Sequence, residues 1–268
     1  MKQDEKSEIL YKTWQISAPK SILLLIHGMG AHSGRWEFLA NFFLRENISS
    51  YAIELRGFGE TSGLRGYVDS FNTYLSDIRR LRDIIAGEHP GKKIFIVGES
   101  LGGLIAFHAA ATMGGFFSGL VAISPAFKGK LKFDVLEYLD IFSSAIFNSR
   151  KQFRMRFTAS MCTRDFYYQR LLDMDRREHK LATARLLFET ALAQIKSPIL
   201  RNKLKIPTLF LLSGNDSLVD MKASERIFEN LKVKNKKIIA YPDMQHALSV
   251  ETGKEKVFRD MLGWLEED

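Results

Sequence analysis

Cysteine is almost missing from this chain: its 268 residues hold one, Cys162. A single thiol cannot close an intramolecular disulfide, so nothing demands an oxidising compartment. A lone cysteine is expected to be a small buried apolar residue. Long apolar runs are missing too. The first substantial one, 22–26 (ILLLI), falls far short of the ~20 residues a membrane-spanning helix needs. The opening stretch 1–6 (MKQDEK) has no apolar segment of the kind a secretory signal carries, so a cytoplasmic protein is expected. There is no run of five or more basic residues, although 39 Lys and Arg against 31 Asp and Glu give a net charge of +8. That absence argues against a nucleic-acid-binding arm. The charge excess serves solubility or an anionic partner such as a lipid surface. No cluster of Cys, His and carboxylates has metal-ligand spacing, and no glycine loop cradles a phosphate, so neither metal nor cofactor is expected.

The chain does carry alternating short and long apolar patterns. Residues 21–27 (SILLLIH) form a continuous apolar run between Pro19 and Gly28, as a strand buried on both faces would. Further strands are expected at 50–55, 93–97, 119–123, 206–212 and 237–241, with helices at 36–45, 71–86, 101–112, 222–231 and 257–265. Repeated strand–helix units of this kind imply a mainly parallel sheet with helices on both faces. The alternation breaks between 127 and 204, where no clear strand is visible. Val135, Leu139, Phe142 and Ile146 form a helical stripe there, and 181–195 is helical in pattern. The expected organisation is a core of 1–126 and 205–268, interrupted by a helical cap or lid at 127–204.

The strongest local signal is Gly98-Glu99-Ser100-Leu101-Gly102-Gly103, after an expected strand and opening an expected helix. This is the setting of a G-x-S-x-G nucleophile elbow. The serine sits in a strained turn, its neighbours two residues away must be small, and the helix N-terminus supplies N–H groups beside it. A nucleophilic serine needs a base and an acid that orients it. Asp216 follows the 206–212 strand and His246 the 237–241 strand, so parallel strand direction brings both to the sheet edge that carries Ser100. Of six histidines, only His246 occupies the last strand-to-helix loop. Asp220 fits better as the cap of the next helix, and Asp243 stands too near His246 in sequence to face its ring. The backbone N–H groups of Leu101 and Met29, the latter between Gly28 and Gly30, are the expected oxyanion donors. Gly28-x-Gly30 also imitates a dinucleotide fingerprint, but Ser33 stands where Gly or Ala is wanted.

At these residues the sequence resembles the monoacylglycerol lipase and lysophospholipase branch of the α/β hydrolases, the group also called serine aminopeptidase-like. The resemblance rests on HGMGAHSGRW (27–36), ELRGFGETSGLRGYVDSF (54–71), GESLGG (98–103), GNDSLVD (214–220) and YPDMQHAL (241–248), which span nearly the whole chain outside the lid. It implies an α/β-hydrolase fold and cofactor-free hydrolysis of carboxylic esters of single acyl chains. By this likeness Ser100, Asp216 and His246 are the triad, and Met29 and Leu101 the oxyanion donors. His32 and Arg35 fall near the alcohol-binding end of the pocket. Ala31 stands where many monoacylglycerol lipases have Glu, which leaves a glycerol preference open, and Glu54 stands where Asp is usual. The acyl chain is expected against Leu139 and Phe142 of the lid.

Two further activities are compatible with this kinship: short-chain carboxylesterase, and release of N-terminal residues from peptides. The second needs a pocket carboxylate for the substrate ammonium. A non-catalytic binding protein on the same fold is the alternative of another class. Between 128 and 164, eight basic residues stand against Asp134, Glu137 and Asp140. Beside the apolar stripe this suggests peripheral contact with an anionic membrane.

Overall fold

In the computed structural model, which describes residues 1–4, 9–131 and 133–267, the chain opens with β1 (Lys2–Asp4) and β2 (Ile9–Trp14). There follow β3 (Ser21–Ile26), α1 (Glu37–Arg45), β4 (Ile48–Glu54), α2 (Phe71–Glu88), β5 (Lys93–Glu99), α3 (Leu101–Met113) and β6 (Gly119–Ile123). An inserted segment then contributes α4 (Val135–Phe147), β7 (Gln152–Arg154), α5 (Ala159–Cys162), α6 (Phe166–Met174), β8 (Leu181–Thr183) and α7 (Ala184–Leu200). The chain returns through β9 (Thr208–Ser213), α8 (Met221–Glu229), β10 (Lys236–Tyr241) and α9 (Lys254–Glu267). Glu5, Lys6 and Lys132, which entered the charge readings above, lie outside the described residues.

Among the described residues, eight strands form one sheet in the order β1-β2-β4-β3-β5-β6-β9-β10. β1 and β2 pair antiparallel, β2 runs antiparallel to β4, and the six strands beyond are parallel. The expected mixed α/β architecture with a mainly parallel sheet is therefore present. All six side chains of β3 are buried. Ile22, Leu24 and Ile26 pack with Ile78, Leu81 and Leu104 from α2 and α3. Leu23 and Leu25 point the other way, onto Phe43 of α1 and Met261 and Trp264 of α9. Alternation along one strand thus feeds two cores, and each fully buried Leu or Ile contributes about 1.5–3 kcal/mol.

The inserted segment corrects one expectation. It holds strands: β7 and β8 pair antiparallel, Gln152 opposite Thr183 and Arg154 opposite Leu181. The expected helix at 181–195 accordingly starts only at Ala184, with Thr183 as its cap. Strands of three residues are too short to display a period of two, so their pattern merged with the neighbouring helix.

α4 carries its apolar stripe at the surface. Its N-terminus is closed by a reciprocal cap between Asp134 and Glu137. Its buried side chains are Ser144 and Ala145, whereas Val135, Leu139, Phe142 and Ile146 are largely exposed. The stripe exists, and most of its surface is open to solvent.

Candidate active site

Parallel strand direction puts the loops after β3, β5, β9 and β10 at one edge of the sheet, and each carries part of the site. Ser100 lies between β5 and α3 with φ 59° and ψ −120°. For a serine this left-handed backbone is strained by roughly 1–3 kcal/mol, and the surroundings enforce it. The flanking glycines are dictated by close approach: a Cβ at Gly98 would sit 2.1 Å from the Gly102 carbonyl oxygen, and one at Gly102 would sit 2.0 Å from that of Ile26.

Asp216 follows β9. Its Oδ1 accepts from the backbone N–H groups of Leu218 (2.8 Å) and Val219 (2.9 Å). Its Oδ2 is 2.7 Å from His246 Nδ1. Burial by itself would raise the Asp216 carboxyl; the neighbouring His246 and the two N–H donors outweigh it, leaving the group below the usual carboxylate range. An ionised acceptor fixes the proton of His246 on Nδ1 and leaves Nε2 with its lone pair. Asp243 is exposed, and Asp220 caps α8 by accepting from Lys222 N–H.

Leu101 opens α3, so its N–H belongs to the first turn, which no intrahelical carbonyl reaches. The loop with Met29 presses on Ser100: a Cβ on Gly28 would stand 3.1 Å from Ser100 Cβ. Met29, Ser100, Leu101 and His246 all line one cavity of about 540 Å³. Its walls are mostly apolar, with Leu131, Phe133, Ile141, Phe142, Phe157, Leu187 and Phe188 from the inserted segment.

The remaining expected contacts divide. Phe142 lines this cavity, but Leu139 does not and is 59% exposed. Leu139 and Phe142 share the solvent side of α4, but only Phe142 also borders the cavity, while Ile141 and Ala145 occupy the inner face. Arg35 reaches the cavity wall, where Glu178 of the inserted segment clamps it through Nε and Nη2, each at 2.7 Å. His32 does not line the cavity. Its Nδ1 accepts from Gly34 N–H at 3.1 Å, and its Nε2 lies 3.2 Å from Asp175. Burial, reinforced by Arg177, lowers its pKa to about 4. His32 is thus a neutral tether between the β3 loop and the inserted segment.

Several participants carried no recognisable signal in the sequence. Glu99, the first of the two variable residues of the elbow motif, is 4% exposed and lines the cavity. Lys130 donates from Nζ to the Asp216 carbonyl. Among the described residues, no group of three His, Cys, Asp or Glu side chains is placed to hold a metal ion, and no helix is long and apolar enough to cross a membrane.

The model of the family described as serine aminopeptidase, S33 matches residues 17–253. Human monoglyceride lipase is 28% identical over 261 residues, covering 92% of this chain and 82% of that protein. A phospholipase of Bacillus subtilis is 23% identical over 254 residues, 92% of this chain and 95% of that protein. The crystal structure of Paleococcus ferrophilus monoacylglycerol lipase superposes with a TM-score of 0.88 at 24% identity, covering 96% of this chain and 98% of that one. At that identity the superposition speaks for the fold. With the family model spanning most of the chain, this protein belongs to the serine aminopeptidase, S33 family and is an α/β hydrolase of the lipase and esterase type.

Proposed function

We propose that the protein hydrolyses carboxylic esters of single acyl chains, of the monoacylglycerol or lysophospholipid type, through an acyl-enzyme on Ser100. The observation that carries this reading is the apolar cavity beside Ser100 and His246. Its volume of about 540 Å³ suits one small lipid-like molecule. The likeness to human monoglyceride lipase and to a bacterial phospholipase supports the substrate class. Residues 127–204 act as a cap over the core of 1–126 and 205–268.

In this mechanism His246 Nε2 takes the Ser100 proton as Oγ attacks the ester carbonyl, while Asp216 holds the ring and stabilises the imidazolium. The N–H groups of Met29 and Leu101 receive the oxyanion. Collapse expels the alcohol, which His246 protonates. The same imidazole then activates water, and the fatty acid leaves.

The aminopeptidase reading has one carboxylate to draw on inside the cavity, Glu99. Both its oxygens already accept from Ser249, which weighs against its holding a substrate ammonium. A panel of p-nitrophenyl esters of graded length, monoacylglycerol, lysophospholipid and an aminoacyl p-nitroanilide tests the assignment. Turnover should be highest on the long-chain esters. Faster cleavage of the anilide would overturn the reading, and failure of a fluorophosphonate to label Ser100 would point to a binding protein.

A further inference from the structure

His246 sits in the loop between β10 and a single 3-10 turn, Leu248–Val250, yet a catalytic base must be held close to its geometry. Two buried carboxylates grip this loop on either side of the histidine. Glu99, next to the nucleophile, accepts from Ser249 N–H at 3.0 Å and Ser249 Oγ at 2.9 Å. Glu251, with 0% exposure, accepts from Gln245 N–H at 2.9 Å, the residue immediately before His246. Glu251 also accepts from Thr252 N–H at 2.6 Å, from Arg164 N–H at 3.1 Å and from Arg164 Nε at 3.3 Å. Arg164 belongs to the inserted segment, which further accepts Ala247 N–H on the Cys162 carbonyl at 2.8 Å.

A buried carboxylate is costly unless its lone pairs are filled. Nothing in the acyl-transfer chemistry uses either group, so their burial beside the base loop points to another role. Burial holds the Glu99 carboxyl above the usual carboxylate range, against the two donors of Ser249 that act to lower it. We propose that Glu99 and Glu251 are positioning residues for the general base, one from the nucleophile's strand and one from the base's own loop, together fixing the segment around His246 against Ser100 and the cap. This inference rests on the triad reading above.

The two sites differ in what they tolerate. Among the described residues, every partner of the Glu251 carboxylate is a donor, so a glutamine there turns its own NH₂ against a donor and leaves it unpaired. At Glu99 one partner is a hydroxyl, which can reverse and accept from a glutamine amide. The test uses the full-length variants Glu251→Gln, Glu99→Gln, Glu99→Leu and Ser100→Ala on a soluble short-chain ester, with melting curves for each. Displacement of a catalytic group by about 1 Å can cost ~100-fold, so Glu251→Gln and Glu99→Leu should each lower kcat by about 30-fold or more, with KM within about twofold. Glu99→Gln should recover most of that loss. If Glu251→Gln fails to fold, the Glu99 pair decides alone. Unchanged kcat in folded Glu251→Gln or Glu99→Leu overturns the proposal, as does equal damage from Glu99→Gln and Glu99→Leu, or a loss confined to KM. Activity in Ser100→Ala would instead overturn the triad reading, and this proposal with it.

Discussion

His246 Nδ1 stands 2.7 Å from Asp216 Oδ2, with both residues 5% exposed. The other oxygen of the same carboxylate is occupied by Leu218 and Val219 N–H, so Asp216 cannot rotate without breaking its own loop. One oxygen fixes the loop and the other fixes the tautomer. Asp216→Asn keeps the shape but can present an NH₂ to Nδ1, driving the imidazole proton to Nε2, where it cannot accept from Ser100. Turnover should fall by about 10⁴.

Removing the proposed nucleophile or base goes further. Ser100→Ala and His246→Ala should each lower kcat on any cleaved ester by a factor on the order of 10⁶, and Ser100→Ala combined with His246→Ala should cost little more, because the two act as a unit. Steady-state assays at saturating substrate, with fluorophosphonate labelling as a second readout, decide this. More than a tenth of the activity remaining in Ser100→Ala would place the nucleophile elsewhere.

The placement of the candidate site's main groups was legible in the sequence because the strands carrying them read as largely apolar runs. Once β5, β9 and β10 are placed, parallel direction alone delivers Ser100, Asp216 and His246 to one edge. What could not be read follows from range and sign. β2 is half-buried in an irregular pattern, so no alternation marks it. The periodicity of α4 located an apolar stripe but not its orientation, and the helix shows that stripe to solvent. The partners of Glu251 lie on the base loop and on Arg164, 87 residues away, and no local pattern announces such a contact.

Phe142 and Leu139 stand three residues apart on the exposed side of α4 and differ in what they reach. Phe142 touches the cavity and Leu139 does not. Phe142→Ala should raise KM for a long-chain ester by up to about tenfold, a fraction of the 1.5–3 kcal/mol a fully buried phenyl contributes, while sparing a butyrate ester. Leu139→Ala should leave both unchanged in detergent-free assays with soluble substrates. Equal effects from the two variants would mean that the acyl chain lies elsewhere.

Three buried histidines make the fold acid-sensitive. Burial, the largest cause for each, lowers the pKa of His27 to about 3 and of His32 and His108 to about 4. An unfolded histidine binds its proton near pH 6.5. Between that pH and the folded values the unfolded chain holds more protons, so stability is full above about pH 6.5 and falls as pH is lowered, by about 1.4 kcal/mol per pH unit for each histidine. His108 Nε2 lies 3.0 Å from the Ala193 carbonyl, a contact a glutamine amide can replace. Urea unfolding at pH 7 and pH 5 should show a smaller difference for His108→Gln than for the parent, by roughly 2 kcal/mol. An unchanged difference would mean that His108 is not a neutral group in the fold.

The basic excess near the cap suggested attraction to anionic lipid, but much of that charge is paired. Lys151 lies 2.7 Å from Asp140, Lys128 lies 3.5 Å from Asp220, Arg164 meets Glu251, and Arg156 meets Glu137. A paired cation contributes little of the ~1 kcal/mol that a basic residue gains near an anionic membrane. The outer face of α4, by contrast, exposes Val135, Leu136, Leu139, Phe142, Ile146 and Phe147, the last 87% accessible. An apolar helical face of this kind can enter the headgroup boundary and gain by burial, a term that salt does not screen. Membrane contact is therefore expected to be driven by this face. The protein should co-sediment with zwitterionic as well as anionic vesicles and stay bound at high salt. Leu136→Glu with Phe147→Glu should release it, sparing turnover of a soluble short-chain ester. Binding confined to anionic vesicles and lost on adding salt would return the attraction to the basic side chains, and no binding to either would leave α4 as a cap surface alone.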